Sequence, residues 1–175
     1  ALNDLAFLFE RNDHFEQAIL LNQYLYEINP NKYALNICSL YERMGKFEQA
    51  YNSLPKELNL GKDFKPNDIE VRYYQRKAVW IIISQRNESL KQEGIESLNK
   101  LESLLFSHSE DNNPLWLWHF YNIKANLQEW NNDLDSAIKY YRKSLSIPTL
   151  GAFEYGATFV NMAITYRCKY INQEI

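Results

Sequence analysis

The chain of 175 residues is poor in helix breakers, with five glycines and five prolines, about half their usual share. That scarcity argues against a turn-rich β-sandwich or barrel and for long helices joined by few turns. Two cysteines, Cys38 and Cys168, stand 130 positions apart with no C-x-x-C pair, so neither a zinc site nor a redox motif is spelled out. Both read as small buried thiols in a reducing compartment rather than as a disulfide. Charge of one sign is lacking too, since 19 basic against 22 acidic residues leave a net charge of −3. Nothing there drives the chain as a whole towards nucleic acid or an anionic membrane. The longest unbroken apolar run, Ala78–Ile83, is six residues, against the ~20 that a membrane-spanning helix needs. The sequence is read as carrying no secretory leader and no polybasic tail, with a cytoplasmic location as the default. The length fits one domain, residues 1–175, able to bury roughly 70% of its unfolded surface.

What is present is repetition. Phe-Glu-Gln-Ala occurs at Phe15–Ala18 and again at Phe47–Ala50, a period of 32. Around each copy an aromatic lies six positions earlier, Phe9 and Tyr41, and a small residue nine earlier, Ala6 and Cys38. Leu134-Asp135-Ser136-Ala137 and Gln92-Glu93-Gly94 are degenerate copies, with Ala137 and Gly94 in the small slot. Each repeat reads as an apolar helix, a polar turn and a second helix, with turns at Asn12-Asp13, Gly45-Lys46, Arg86-Asn87 and Asn131–Asp133. Pro30 closes the first repeat and Pro148 a later one.

This pattern resembles the tetratricopeptide repeat family, whose unit of about 34 residues is W-x2-L-G-x2-Y, then A-x3-F, then A and P. Leu2, Leu5, Ala6, Phe9, Ala18 and Pro30 match its slots in the first repeat, and Ala34, Ile37, Cys38, Tyr41, Gly45, Phe47 and Ala50 in the second. Phe120, Asn122, Ile123, Leu127, Leu134, Ala137 and Tyr141 match after one inserted residue, and Phe159, Asn161, Met162, Ala163 and Tyr166 match a first helix alone. No repeat carries the family's Trp. The resemblance implies an all-α, right-handed solenoid of stacked antiparallel helix hairpins, about four repeats with a partial last one.

The slots have a physical logic of their own. Helices pack at about 8–10 Å only where small side chains let the backbones approach, and Ala6 with Ala18, or Cys38 with Ala50, supply such residues on both helices of a hairpin. Phe9, Phe15, Tyr41 and Phe47 then fill the space beside that contact. Hairpins that cannot bury both faces alone stack on their neighbours, and a constant rotation gives a concave side. The small slots Ala18, Ala50, Gly94 and Ala137 are spaced by 32, 44 and 43 residues, so the middle repeats carry extra residues. Pro55 is expected to end or kink a helix, Asn59–Asp68 and Ser107–Asn113 read as loops, and Pro114 starts a helix. The chain enters its first repeat part-way and ends after a first helix, so it is expected to be a piece of a longer protein.

Chemistry is not spelled out. His14, His108 and His119 are scattered, and there is no glycine-rich phosphate loop, G-x-S-x-G or H-E-x-x-H. Asp133 and Asp135 suit N-capping and the helix dipole better than acid–base work, and Glu10, Glu42 and Glu129 are read as ordinary helical carboxylates. The expectation is a non-catalytic protein with no cofactor and no metal.

In the family the first helix of each repeat lines the concave face, and candidate binding residues fall there. Asn36, Asn122 and Asn161 share one slot, with Asp4 in that slot of the first repeat. Their amides suit an extended peptide backbone, or else hydrogen bonding between the chain's own helices. Arg72 and Arg76 lie four apart beside Lys77, Tyr73 and Tyr74, and Arg43 joins them as a candidate. Their forks suit a carboxylate, or else form a solvated helix face with Glu70. Some members of the family clamp a partner's C-terminal carboxylate with such residues, but Asn3 and Phe7 depart from that clamp. The expected function is a protein–protein interaction scaffold that binds a peptide segment or helix of a partner, acidic or C-terminal, in the concave groove. The alternative is a ligand- or peptide-sensing regulatory domain of a larger enzyme or transcription regulator. Binding of nucleic acid through Arg72–Lys77 ranks third, because the chain has no basic stripe.

Overall fold

The computed structural model describes residues 2–56, 58, 67–107 and 113–171. Among them the chain is helical and contains no strand. It divides into two compact units, Ala1–Arg76 and Lys77–Ile175. No helix among the described residues is long and apolar enough to cross a membrane.

In the first unit, α1 (Leu2–Arg11) turns into α2 (Phe15–Tyr26), followed by α3 (Pro30–Arg43), α4 (Phe47–Asn52) and all but the last two residues of α5 (Asn67–Ala78). Pro30 opens α3 at its first turn, where its missing N–H costs nothing, and the Asn29 side chain caps that turn by accepting from the Lys32 N–H at 3.1 Å. Successive helices α1 to α4 pack on one another. Ala18, Ile19, Ile37 and Leu40 form a buried cluster with Phe9, Phe15, Tyr41 and Met44 packed around it. Ala6, Cys38 and Ala50 are buried as well, as small residues at close helix contacts should be. Phe47 departs from expectation: it is 52% exposed, because it stands in the first turn of a helix only six residues long. That helix stops before Pro55. The expected loop Asn59–Asp68 lies mostly outside the described residues, and its last two residues are helical because α5 already begins at Asn67.

In the second unit the α5 helix continues as a π-helical turn, Val79–Gln85, which ends at Arg86 with φ 45°. Then come α6 (Lys91–Ser107), α7 (Pro114–Trp130), α8 (Leu134–Leu145) and α9 (Ala152–Ile171). Asn113 caps α7 by accepting from the Leu115 N–H at 3.0 Å, with Pro114 in the first turn. Of the expected loop Ser107–Asn113, Ser107 ends α6, and residues 108–112 lie outside the described residues. The α7–α8 and α8–α9 pairs pack closely, and the π-helical turn contacts α6 and α7. Cys38 is buried and Cys168 exposed, both as free thiols. The exposure of Cys168 corrects the expectation of two buried thiols: it stands in the last turn of α9, beyond the last buried residue of that helix, Thr165.

Three helix-to-helix turns share one hydrogen-bond pattern. Asp13, Gly45 and Asn132 take positive φ (58°, 71° and 60°). Their N–H groups donate to Glu10, Glu42 and Glu129 carbonyls, and the next N–H groups, of His14, Lys46 and Asp133, reach back to Phe9, Tyr41 and Gln128. This is the Schellman closure of a helix, which favours Gly, Asn or Asp at the left-handed position. In all three the following helix starts at once. Ala18, Ala50 and Ala137, each five residues after the left-handed one, donate to the carbonyls of His14, Lys46 and Asp133.

Candidate functional site

The shared turn places Glu10, Glu42 and Glu129 at one position, three residues before the left-handed residue. Each of these carboxylates holds another part of its own unit. Glu10 accepts from Arg43 Nη1 at 2.9 Å, while Arg43 Nη2 reaches Asp13 at 3.3 Å and the guanidinium lies 4.7 Å from the Phe15 ring centre. Glu42 accepts from Arg76 Nε through both oxygens, at 3.3 and 3.2 Å. Glu129 accepts from Arg86 Nη2 at 3.1 Å, from the Tyr141 hydroxyl at 3.1 Å and from the Thr165 hydroxyl. Sequence reasoning passed over these glutamates. The signal was present as the 32-residue spacing of Glu10 and Glu42 and their constant distance from a polar turn.

Of the candidate arginines, Arg43, which is exposed, and Arg76, which is half-buried, pair with carboxylates of the first unit, whereas the exposed Arg72 forms no ion pair among the described residues. Lys77, in the second unit, pairs with Glu93 at 2.7 Å. The Glu42 carboxylate also lies 3.8 Å from the Cys38 Sγ. Burial first, and the Glu42 charge second, push that thiol up to about 12.

The asparagines are placed differently from one another. Asn36 donates to Asn22 Oδ1 at 3.1 Å, and Asn22 donates in turn to the Ala18 carbonyl at 2.8 Å. Asn122 is buried between α7, α8 and α9, donating to the Trp118 carbonyl at 2.9 Å and to Ser144 Oγ at 2.8 Å. The Trp118 indole N–H donates to Thr158 Oγ1 at 2.9 Å. Both side-chain NH2 groups donate inside the chain, as in the helix-to-helix alternative for this row. Asn122 Oδ1 is buried with no hydrogen-bond partner among the described residues. Asn161 is half-buried on α9, and its carbonyl accepts from the Thr165 hydroxyl at 2.9 Å.

A feature that the sequence reading did not single out lies between α8 and α9. A groove of about 530 Å³ is lined by Asp135, Ile138, Lys139, Arg142, Lys143, Ser146, Tyr166 and Lys169. Four side chains of the lining are cationic and one is a carboxylate. Lys169 pairs with that carboxylate, Asp135. Arg142 donates to the neutral Tyr166 hydroxyl at 2.7 Å, and Lys143 lies 5.7 and 5.4 Å from the ring centres of Tyr121 and Tyr140. Lys139 is exposed.

Among the described residues no group of three His, Cys, Asp or Glu side chains is placed to hold a metal ion. Large apolar side chains stay at the surface of α9: Phe153, Val160, Ile164 and Ile171 fall at spacings of seven, four and seven, which is one helix face. No protein-family model, no curated protein and no solved structure matches this chain.

Proposed function

We propose that the chain is a non-catalytic interaction scaffold built of tetratricopeptide-like hairpins, and that it binds a peptide segment or helix of a partner protein. The observation that carries this reading is the turn shared by Asp13, Gly45 and Asn132, with a small buried residue following each at the same distance. A chain that repeats one hairpin in this way multiplies outward helix faces rather than enclosing one reaction chamber, and such faces suit extended partners. The apolar row on α9 supports the same reading, since rows of large exposed apolar side chains mark protein contact. Of the candidate arginines Arg72 is exposed with no ion pair among the described residues and is the one offered to a partner, while Arg43 and Arg76 are paired with carboxylates of the first unit.

The test is capture from a cell lysate followed by mass spectrometry, with the chain compared against Arg72→Glu and against a Val160→Asp, Ile164→Asp variant. Circular dichroism first establishes that each variant is folded. A partner held by the parent chain and lost by one variant supports a scaffold and locates its contact face. If no protein is enriched over a bead control by the parent chain, the scaffold reading fails.

A further inference from the structure

The groove between α8 and α9 is more specific than a general contact surface, because its charge is unbalanced. Lys139, Arg142 and Lys143 stand at i, i+3 and i+4 on α8 and so share one face. Of the four cations in the lining only Lys169 has a carboxylate partner there, Asp135. Arg142 and Lys143 rest on a neutral phenol and on aromatic rings, which orient the cations without neutralising them. Among the described residues the groove therefore holds about three positive charges without a carboxylate partner, in a chain whose net charge is −3. Ile138, the one aliphatic residue of the lining, is buried.

From this we infer that the α8–α9 groove binds an acidic, extended peptide segment, with its Asp or Glu carboxylates on Lys139, Arg142 and Lys143. The lining from Asp135 to Ser146, the residue that caps α8, covers eleven residue steps, about 16 Å at the helical rise, which matches about five residues of extended chain. An Arg fork pairs a carboxylate bidentately, and Lys139 and Lys143 supply point charges one turn apart. A nucleic acid is the less favoured polyanion, because the negative charge of the whole chain opposes a long phosphate backbone while a short acidic segment meets only the groove. This inference rests on the scaffold reading, and it names the chemistry of one partner segment.

The experiment is fluorescence anisotropy with labelled hexaglutamate, with hexalysine and a six-nucleotide oligothymidylate as comparison probes. Hexaglutamate is expected to bind saturably and to weaken as salt rises. Lys139→Glu with Lys143→Glu should raise its Kd by about tenfold or more, because each reversal turns an attraction into a repulsion. The exposed Lys139→Gln alone should weaken binding by a smaller factor, and it guards against misfolding of the double variant. Lys46→Gln, at an exposed lysine of the first unit, should leave hexaglutamate binding unchanged. Absence of saturable binding, equal binding by hexalysine, loss through Lys46→Gln in place of Lys139→Gln, or equal or tighter binding of oligothymidylate would each overturn the proposal. A lysate partner that survives while hexaglutamate fails would sink this groove and leave the scaffold reading standing.

Discussion

Arg76 directs its Nε at both carboxylate oxygens of Glu42, across 34 residues of sequence. The pair joins α5 to the end of α3, and the arginine side chain is only 19% exposed. Arg72, one turn earlier, is exposed. The two arginines should therefore separate under mutation. Arg76→Ala is expected to lower stability by about 1–2 kcal/mol, since a partly buried charge-assisted hydrogen bond is lost and Glu42 is left beside Cys38. Arg72→Ala should stay within about 0.5 kcal/mol of the parent chain. Urea unfolding of both variants measures the difference, and equal losses would mean that Arg76 does not fasten α5 to α3.

Glu129 gathers more of the second unit than any single ion pair does. Its carboxylate takes hydrogen bonds from Arg86, Tyr141 and Thr165, and the Tyr141 hydroxyl also accepts from Asn126 Nδ2 at 3.2 Å. Glu129→Ala should cost about 2–3 kcal/mol, because three donors lose their acceptor in a half-buried place. Tyr141→Phe removes one of those donors and should cost about 1 kcal/mol. In a double-mutant cycle the two losses should not add, since they share one network. Additivity in thermal or denaturant unfolding would show that the network does not act as a unit.

Much of this was legible before the structure, for reasons that are local. Asp13, Gly45 and Asn132 are residue types that tolerate the left-handed conformation, and they stand between apolar helical patterns, so the turns declared themselves. The Ala and Gly slots were readable because a close helix contact restricts side-chain size. The π-helical turn at Val79–Gln85 was not readable, because Val79–Ile83 looks the same as any apolar helical run. The asparagine row shows a different limit: a shared slot fixed where Asn36 and Asn122 stand, but only their neighbours, Asn22 in one case and Ser144 in the other, decide where the amides are spent. The basic groove joins α8 to α9, and its charge balance depends on Lys169 turning to Asp135 rather than to solvent. The i, i+3, i+4 spacing of Lys139, Arg142 and Lys143 was in the sequence and was the available clue.

The two cysteines should behave in opposite ways. Cys168 is exposed and Cys38 buried, so a thiol reagent at neutral pH should label Cys168 in the native chain and reach Cys38 only after unfolding. Peptide mapping after brief labelling checks this. The Cys38 thiol also makes stability depend on pH. Its ordinary value of 9.0 is pushed up to about 12 by burial and by the Glu42 charge. Below pH 9 the thiol is protonated in both states, and its contribution is complete. Between pH 9 and 12 the unfolded chain gives up a proton that the native chain keeps, so stability falls as pH rises. Tyr141, raised by burial and by Glu129, acts in the same direction from about pH 10 upward. Cys38→Ala should flatten the part of the loss between pH 9 and 12, and an unchanged slope in urea titrations would show that the thiol is not the group responsible.

Gly94 offers the sharpest test of why the small slot is small. A Cβ at this position would lie 2.7 Å from Ile81 Cγ2 and 3.1 Å from Ile82 Cγ1, and both isoleucines are fully buried on the π-helical turn. Ile81 is β-branched and stiff at χ1, so its methyl has little room to swing away. The contact can be relieved only if α6 moves off the π-helical turn. Alanine at an exposed helix position gains about 1 kcal/mol over glycine, and that gain should be cancelled here by the overlap. Gly94→Val adds two further methyl groups to the same contact and should lower stability by about 1–3 kcal/mol, as overpacking does. Pairing it with Ile81→Ala opens the space that valine needs, so the double variant should cost less than the sum of its parts. Full additivity would show that Gly94 is not held small by Ile81, and that the close approach of α6 to the π-helical turn is not what fixes this slot.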